Sequence, residues 1–265
     1  MTALAHTLVA FNTATASENK MHDDEVAGRF GFTGGLVPGV DVFGYLAHLP
    51  LAQWGRAWLT SGGMHARFLK PVYDGDETLA AATLEGEDAM TMSATARGTL
   101  CATGSATRRE GGPAPAILPA APMPDEATRP KASPESLAPG TVMGTLHDVY
   151  LHEQGAAHLA DIREDAAFFE GGAIANPAFL LRRVNYILAA NVRLGPWIHT
   201  ESRIRMHDLV RDGEAFETRG LVVENVEKGG HLIVAFDFTI SAHHRLVMSG
   251  RHWAIYEPRQ VRERA

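Results

Sequence analysis

The chain has 265 residues, a formal net charge of −7 and 45% hydrophobic residues, which excludes a disordered polymer and leaves ample core for one large or two small domains. Its Lys and Arg are spread thinly, which argues against a nucleic-acid surface, and its one cysteine, Cys101, excludes an intrachain disulfide and a thiolate zinc cluster. Met1-Thr-Ala-Leu-Ala-His lacks the basic start and apolar run of a signal peptide, and no stretch approaches the roughly 20 apolar residues of a membrane span, so a cytoplasmic protein with no membrane partner is expected.

Residues 7–13 read as a first strand. Residues 17–39 then place a histidine among carboxylates and follow it with a glycine-rich turn. His22 is the side chain whose ordinary pKa lies nearest neutrality and so suits acid or base work. Glu18, Asp23, Asp24 and Glu25 are its carboxylate neighbours in sequence. Gly34, Gly35 and Gly39 allow sharp turns and close approach of a ligand. Pro38 fits a helix start, where its missing N–H costs nothing, and the first free N–H groups, at Gly39 and Val40, are placed to polarise a carbonyl oxygen. Val40, Phe43, Leu46 and Leu49 carry the spacing of a helix with one buried face, and Pro50 is expected to end it or to begin a further turn. Trp54 and Trp58 are expected to pack on one side of its continuation.

From Gly63 the pattern predicts strands over residues 64–73, 77–85 and 89–107, with Asp74-Gly75-Asp76 as a turn. Residues 109–140 read as a Pro- and Ala-rich linker crossing a surface, with too little apolar mass to fold alone.

Beyond the linker the first half recurs at an offset of 138. Arg67, Val72 and Asp74-Gly75-Asp76 fall on Arg205, Val210 and Asp212-Gly213-Glu214, and Phe43, Leu46 and Leu49 fall on Leu181, Val184 and Ile187. One offset that aligns a helix, a connection and a strand turn without a gap marks an internal repeat. The second copy predicts a helix capped by Asn176-Pro177 and strands over residues 201–211, 215–227, 231–241 and 245–256, with His243-His244 in a turn. Each half thus reads as an α+β unit, one long helix wrapped by an antiparallel sheet, the hotdog arrangement. Two on one chain, over residues 1–108 and 141–265, give a double hotdog with its sheets joined edge to edge.

Asn19-Lys-Met-His22-Asp-Asp24, Phe30, Leu36-Val37-Pro38-Gly39 and Phe68-Leu-Lys-Pro71-Val72-Tyr-Asp-Gly75-Asp76 together resemble the MaoC-like dehydratases and (R)-specific enoyl-CoA hydratases, over about residues 8–107. The resemblance implies a catalytic role for His22, with Asn19 and Asp24 beside it and the Gly39 N–H on a thioester carbonyl. The family's catalytic Asp falls on Ser17, so Glu18 is the carboxylate nearest to replacing it. The signature's Pro and its His before the Gly are replaced by Lys20 and Pro38. The positions 138 beyond His22 and Asp41 are Ala160 and Phe179, so one site per chain is expected, lined from both halves.

The first expectation is therefore a lyase, a hydratase or dehydratase using His22, Glu18, Asp24 and Asn19, with Ser17, Gly39, Val40 and Asp41 at the substrate. Its partner is an acyl-CoA or acyl-carrier thioester, no redox or metal cofactor is implied, and a homo-oligomer of pseudo-dimers is compatible. The alternatives are a hotdog thioesterase using Asp41, and a catalytically silent protein binding an acyl ligand, which the Ser17 replacement favours. His199 and His207 sit on or near strands and are read as structural unless they face the site across the pseudo-dimer. Arg182, Arg183 and Arg193 read as solvated helix positions and as the densest basic patch for coenzyme A phosphates.

Overall fold

The computed structural model describes residues 3–15, 17 and 19–262. Two copies of one unit follow each other along the chain. The first comprises β1 (Ala3–Val9), a short helix α1 (Asp24–Arg29), the long helix α2 (Gly39–Trp54), and strands β2 (Gly63–Phe68), β3 (Glu77–Leu84), β4 (Ala89–Ala96) and β5 (Thr99–Thr107). The second comprises β6 (Leu146–Val149), α3 (His152–Asp161), α4 (Pro177–Asn191), β7 (Ile198–Met206), β8 (Ala215–Lys228), β9 (His231–Ala242) and β10 (Arg245–Glu257). The strands form a single antiparallel sheet in the order β1-β3-β4-β5-β2-β7-β10-β9-β8-β6. The halves join where β2 pairs with β7, Gly63 opposite Arg205 and Arg67 opposite Glu201.

Local chemistry accounts for the elements. Asn176 caps α4 by accepting from the Ala178 N–H at 2.7 Å, and Pro177 occupies its first turn. Phe43, Leu46 and Leu49 on α2 and Leu181, Val184 and Ile187 on α4 are all buried, as their shared spacing requires. Small residues on the strands, among them Ala66, Ala80, Ala94 and Ala102, are buried in the same core and let the sheet curl tightly round α2. The two helices also touch each other. Gly44 is what allows it, since a Cβ there would lie 3.0 Å from Ile162 and 3.1 Å from Ala178.

The offset of 138 holds from the bridge pairs Leu36–Tyr73 and Ile174–Arg211 to the starts of β3 and β8. It becomes 140 for the first strands, where Val9 faces Glu77 and Val149 faces Ala215. It becomes 146 at the last turns, Arg97-Gly98 and His243-His244, because the β8–β9 hairpin is longer than β3–β4.

Several expectations need correction, among them the first strand, which is Ala3–Val9 and not residues 7–13. Residues 89–107 are not one run but a hairpin, broken by positive φ at Arg97 (48°) and Gly98 (72°), the backbone sign that a two-residue turn matching strand twist demands. Of the two outcomes expected at Pro50 the structure has the further turn, since α2 runs on to Trp54 before a 3₁₀ turn over Gly55–Thr60. The proline forfeits the bond to the Leu46 carbonyl, and packing of the buried Leu46, Leu49 and Leu51 holds the helix through it. Trp58 is buried in that continuation and donates to the Thr107 carbonyl, whereas Trp54 is half-buried and donates to the Glu87 carbonyl.

The segment between the repeats is held by polar contacts rather than by a core of its own. Arg205 donates to the carbonyls of Gly112 and Pro113, Arg219 to that of Leu118, and Arg129 to that of Ala189. Ala132 and Leu137 are its buried anchors. Among the described residues, no helix is long and apolar enough to cross a membrane.

Candidate functional site

The loop between β1 and α2 is fixed to itself by backbone contacts that leave one imidazole facing inward. The Asn12 amide donates to the His22 carbonyl at 2.9 Å, and the Leu36 N–H donates to the Met21 carbonyl at 3.1 Å. Gly35 lies against this clamp, and a Cβ there would stand 2.2 Å from the His22 carbonyl oxygen. The His22 Nδ1 is 2.6 Å from the Leu36 carbonyl, so this nitrogen carries the proton and Nε2 presents a lone pair. Nε2 lies 3.4 Å from the Asn19 Nδ2. Burial lowers the His22 pKa against the raising effect of the Leu36 carbonyl and Asp41, so the ring is neutral at pH 7 and able to accept a proton.

Asn19 ties this loop to the second repeat. Its amide donates to the Trp197 carbonyl at 3.0 Å and accepts from the Trp197 N–H at 3.3 Å. Two cavities meet at that seam, and Asn19, His22, Pro38, Asn185 and Trp197 line both. The larger, about 890 Å³, is a cleft with Ser17, Val40, Arg129, Arg182 and Arg193 on its walls. The smaller, about 210 Å³, is apolar, lined by Met21, Phe32, Val42, Phe68 and Ile255, with Gly39 and His199 at its side. At the junction the Asn185 Oδ1 is buried without a hydrogen-bond partner among the described residues.

The other expected residues divide into those at the cavities and those that are not. Ser17 lines the cleft, and its hydroxyl accepts from the Asn19 N–H at 3.1 Å. Val40 lines the cleft and Gly39 the apolar cavity, each in the first turn of α2, where N–H groups have no acceptor one turn back. Glu18 lies outside the described residues. Asp24 is exposed and lines neither cavity, and its Oδ1 accepts from the Gly35 N–H at 2.6 Å, which shapes the glycine turn. Asp41 is fully buried, takes the Thr13 hydroxyl at 2.6 Å and is ion-paired with Arg182. Burial raises its pKa, opposed by the guanidinium and the hydroxyl.

The solvated reading of Arg182 and Arg183 is therefore corrected. Arg182 crosses from α4 to α2 to neutralise Asp41, and its Nη2 also donates to the Thr13 hydroxyl at 2.9 Å. Arg183 pairs with Asp148 and lies over the Phe179 ring. Arg193 alone of the three is exposed, on the wall of the cleft. His207 lines neither cavity and bonds to Ser249, whereas His199 lines the apolar one. Asn185 escaped the sequence reading because nothing local distinguishes it from a solvated helix amide.

No family model and no curated protein matches the chain. Solved structures do match it. A Chloroflexus aurantiacus protein described as a MaoC domain protein dehydratase superposes with a TM-score of 0.64 at 9% identity, covering 97% of this chain and 95% of that one. A Mycobacterium tuberculosis protein described as having a double hotdog fold gives 0.58 at 13% identity, covering 96% and 95%. The fold is a double hotdog. A Lactobacillus plantarum protein described as an oleoyl thioesterase gives 0.56 at 10% identity, covering 97% of each chain, so this double hotdog has neighbours described by two chemistries. In this one the cavity junction belongs to the first repeat, and α4 with the approach to β7 supplies its far wall.

Proposed function

We propose that this double hotdog protein is an acyl-thioester hydratase or dehydratase with His22 as its general base and acid. The reading rests on one observation: the neutral His22 imidazole presents Nε2 where a cation-lined cleft meets an apolar cavity beside a helix start. The acyl chain would occupy the apolar cavity, with the thioester oxygen on the Gly39 N–H and the carrier arm along the cleft toward Arg129 and Arg193. His22 takes a proton from water as the hydroxyl adds to the β-carbon of an enoyl thioester. Negative charge then forms on the thioester oxygen, where preorganised N–H dipoles lower its energy. The proton returns from His22 to the α-carbon, and the reverse sequence is dehydration. In this reading the Asn185 Oδ1, which has no partner among the described residues, accepts a hydrogen bond from the water.

A thioesterase centred on Asp41 has weaker support, because that carboxylate lines neither cavity and is engaged by Thr13 and Arg182. The test is a panel of enoyl-CoA thioesters followed for loss of the conjugated double bond and for free thiol. Hydration is expected in the wild type, and His22→Ala should lose roughly 10² to 10⁴ in rate while staying folded. Thiol release with the double bond intact assigns a thioesterase, and tight binding without turnover assigns a silent acyl binder.

A further inference from the structure

Beside the opening turn of α2 lies a chain of three buried polar side chains that the steps above do not use. His199 Nε2 stands 2.8 Å from the Ser202 Oγ, which stands 2.9 Å from the His252 Nδ1. The two imidazoles stack at 4.2 Å between centroids, and Phe68 meets His199 edge-on at 4.7 Å. His199 is 6% exposed and His252 not at all. The remaining ring nitrogens, His199 Nδ1 and His252 Nε2, make no hydrogen bond of ordinary geometry among the described residues, and the Glu201 backbone is the one group near enough to favour a proton on the His199 ring. His199 lines the apolar cavity, and a Cβ on Gly39 would lie 2.9 Å from its Nδ1.

Proton counting decides which way this chain is polarised. The Ser202 hydroxyl holds one proton between two ring nitrogens, so it donates to one imidazole and accepts from the other. If it donates to His252, that ring carries its proton on Nε2, an N–H enclosed in the core with no acceptor. If it donates to His199, the proton of that ring is on Nδ1 beside the cavity, where a ligand accepts it, and His252 keeps only a bare lone pair. Without a ligand each arrangement leaves one ring N–H and one lone pair unpartnered, but only in the second does an acceptor bound in the cavity satisfy the N–H, so a bound carbonyl selects the second. Burial holds His199 down to about 3 and His252 well below its usual range, so both rings stay neutral and the count stands.

We propose that the His199 Nδ1–H is a second hydrogen-bond donor to the thioester oxygen, acting with the Gly39 N–H from the opposite repeat. The proposal rests on the thioester reading above. It accounts for a glycine at position 39, since any side chain there would displace the imidazole.

The carbonyl stretch of bound butyryl-CoA, which carries no double bond to hydrate, reads the donors directly. In the wild type it should shift down from its free value, and in His199→Leu most of that shift should vanish. In His199→Asn, whose amide nitrogen falls near the Nδ1 position, most should remain. With an enoyl-CoA, His199→Leu should lower kcat by roughly 10² to 10³ with little change in KM, and His199→Asn should recover at least a tenth of the wild-type rate. Should the Leu variant fail to fold, His199→Gln replaces it, because its amide reaches Ser202 but places no donor at Nδ1. A carbonyl shift unchanged in the folded Leu or Gln variant, or equal losses in Asn and Gln, overturns the proposal and leaves the His22 reading intact. A wild-type protein that binds no acyl-CoA overturns both.

Discussion

The buried pair between Asp41 and Arg182 joins the two repeats beside the site, and removing one partner measures how far it is enclosed. Asp41 has no exposed surface, and Arg182 keeps 19% of its side chain exposed, toward the cleft. Breaking a buried pair at one end costs about 3 to 5 kcal/mol, because the remaining charge has lost its partner and cannot reach water. At about 2 to 4 °C per kcal/mol for a chain of this size, that is a Tm fall of roughly 6 to 20 °C. The two single variants should differ. In Asp41→Leu the guanidinium keeps its charge but can turn into the cleft, so the loss should lie at the lower end. In Arg182→Met the carboxyl is enclosed and neutralises by binding a proton, which sets its folded pKa above the unfolded one. Stability from that bound proton is present at low pH and is lost as pH rises through the folded pKa, so this variant should fall further behind the wild type at pH 8 than at pH 5. The double variant Asp41→Leu/Arg182→Met leaves no charge and should be more stable than Arg182→Met alone. Thermal unfolding by circular dichroism at both pH values checks all three. Single losses below about 1 kcal/mol that simply add in the double variant would refute the enclosed pair.

Further outcomes follow from the same geometry. Gly35→Ala should push the His22 backbone off its clamp, costing about 1 to 3 kcal/mol by overpacking and most of the activity; unfolding and enoyl-CoA turnover report both. The acid limb of kcat/KM should have its midpoint below 6.5, because burial lowers the His22 pKa and activity falls only as the ring protonates; a midpoint at or above 6.5 contradicts the buried neutral base. Arg193→Glu should raise KM for acyl-CoA with little change in kcat, and the difference should shrink as salt is raised. Asn19→Ala should release the loop from Trp197 and lower kcat, while the melting temperature falls by no more than a few degrees.

Much of the architecture was already determined by the sequence, because its causes are local. The cap at Asn176-Pro177, the helical spacing of Leu181, Val184 and Ile187, and the Asp212-Gly213-Glu214 turn each involve neighbours within a turn or two, and their repetition exposed the duplication. The break at Arg97-Gly98 is only half legible, since Gly98 suits a positive φ but arginine at the first turn position lacks the Asn or Asp that marks a two-residue turn. His22 and Gly39 could be named as candidates from their chemistry and Asn19 from the family resemblance, but their environment could not. What Arg182 does depends on Asp41, 141 positions away, and an arginine on a helix reads as solvated until its partner helix is placed against it. Asn19 meets Trp197 across 178 positions, and His199 reaches Gly39 only because Gly63–Phe68 pairs with Ile198–Met206 and closes two sheets into one. Local propensity fixes elements within a few residues, whereas charge neutralisation and cavity walls depend on which elements are brought together. At that range only the tertiary structure decided which side chains share the site.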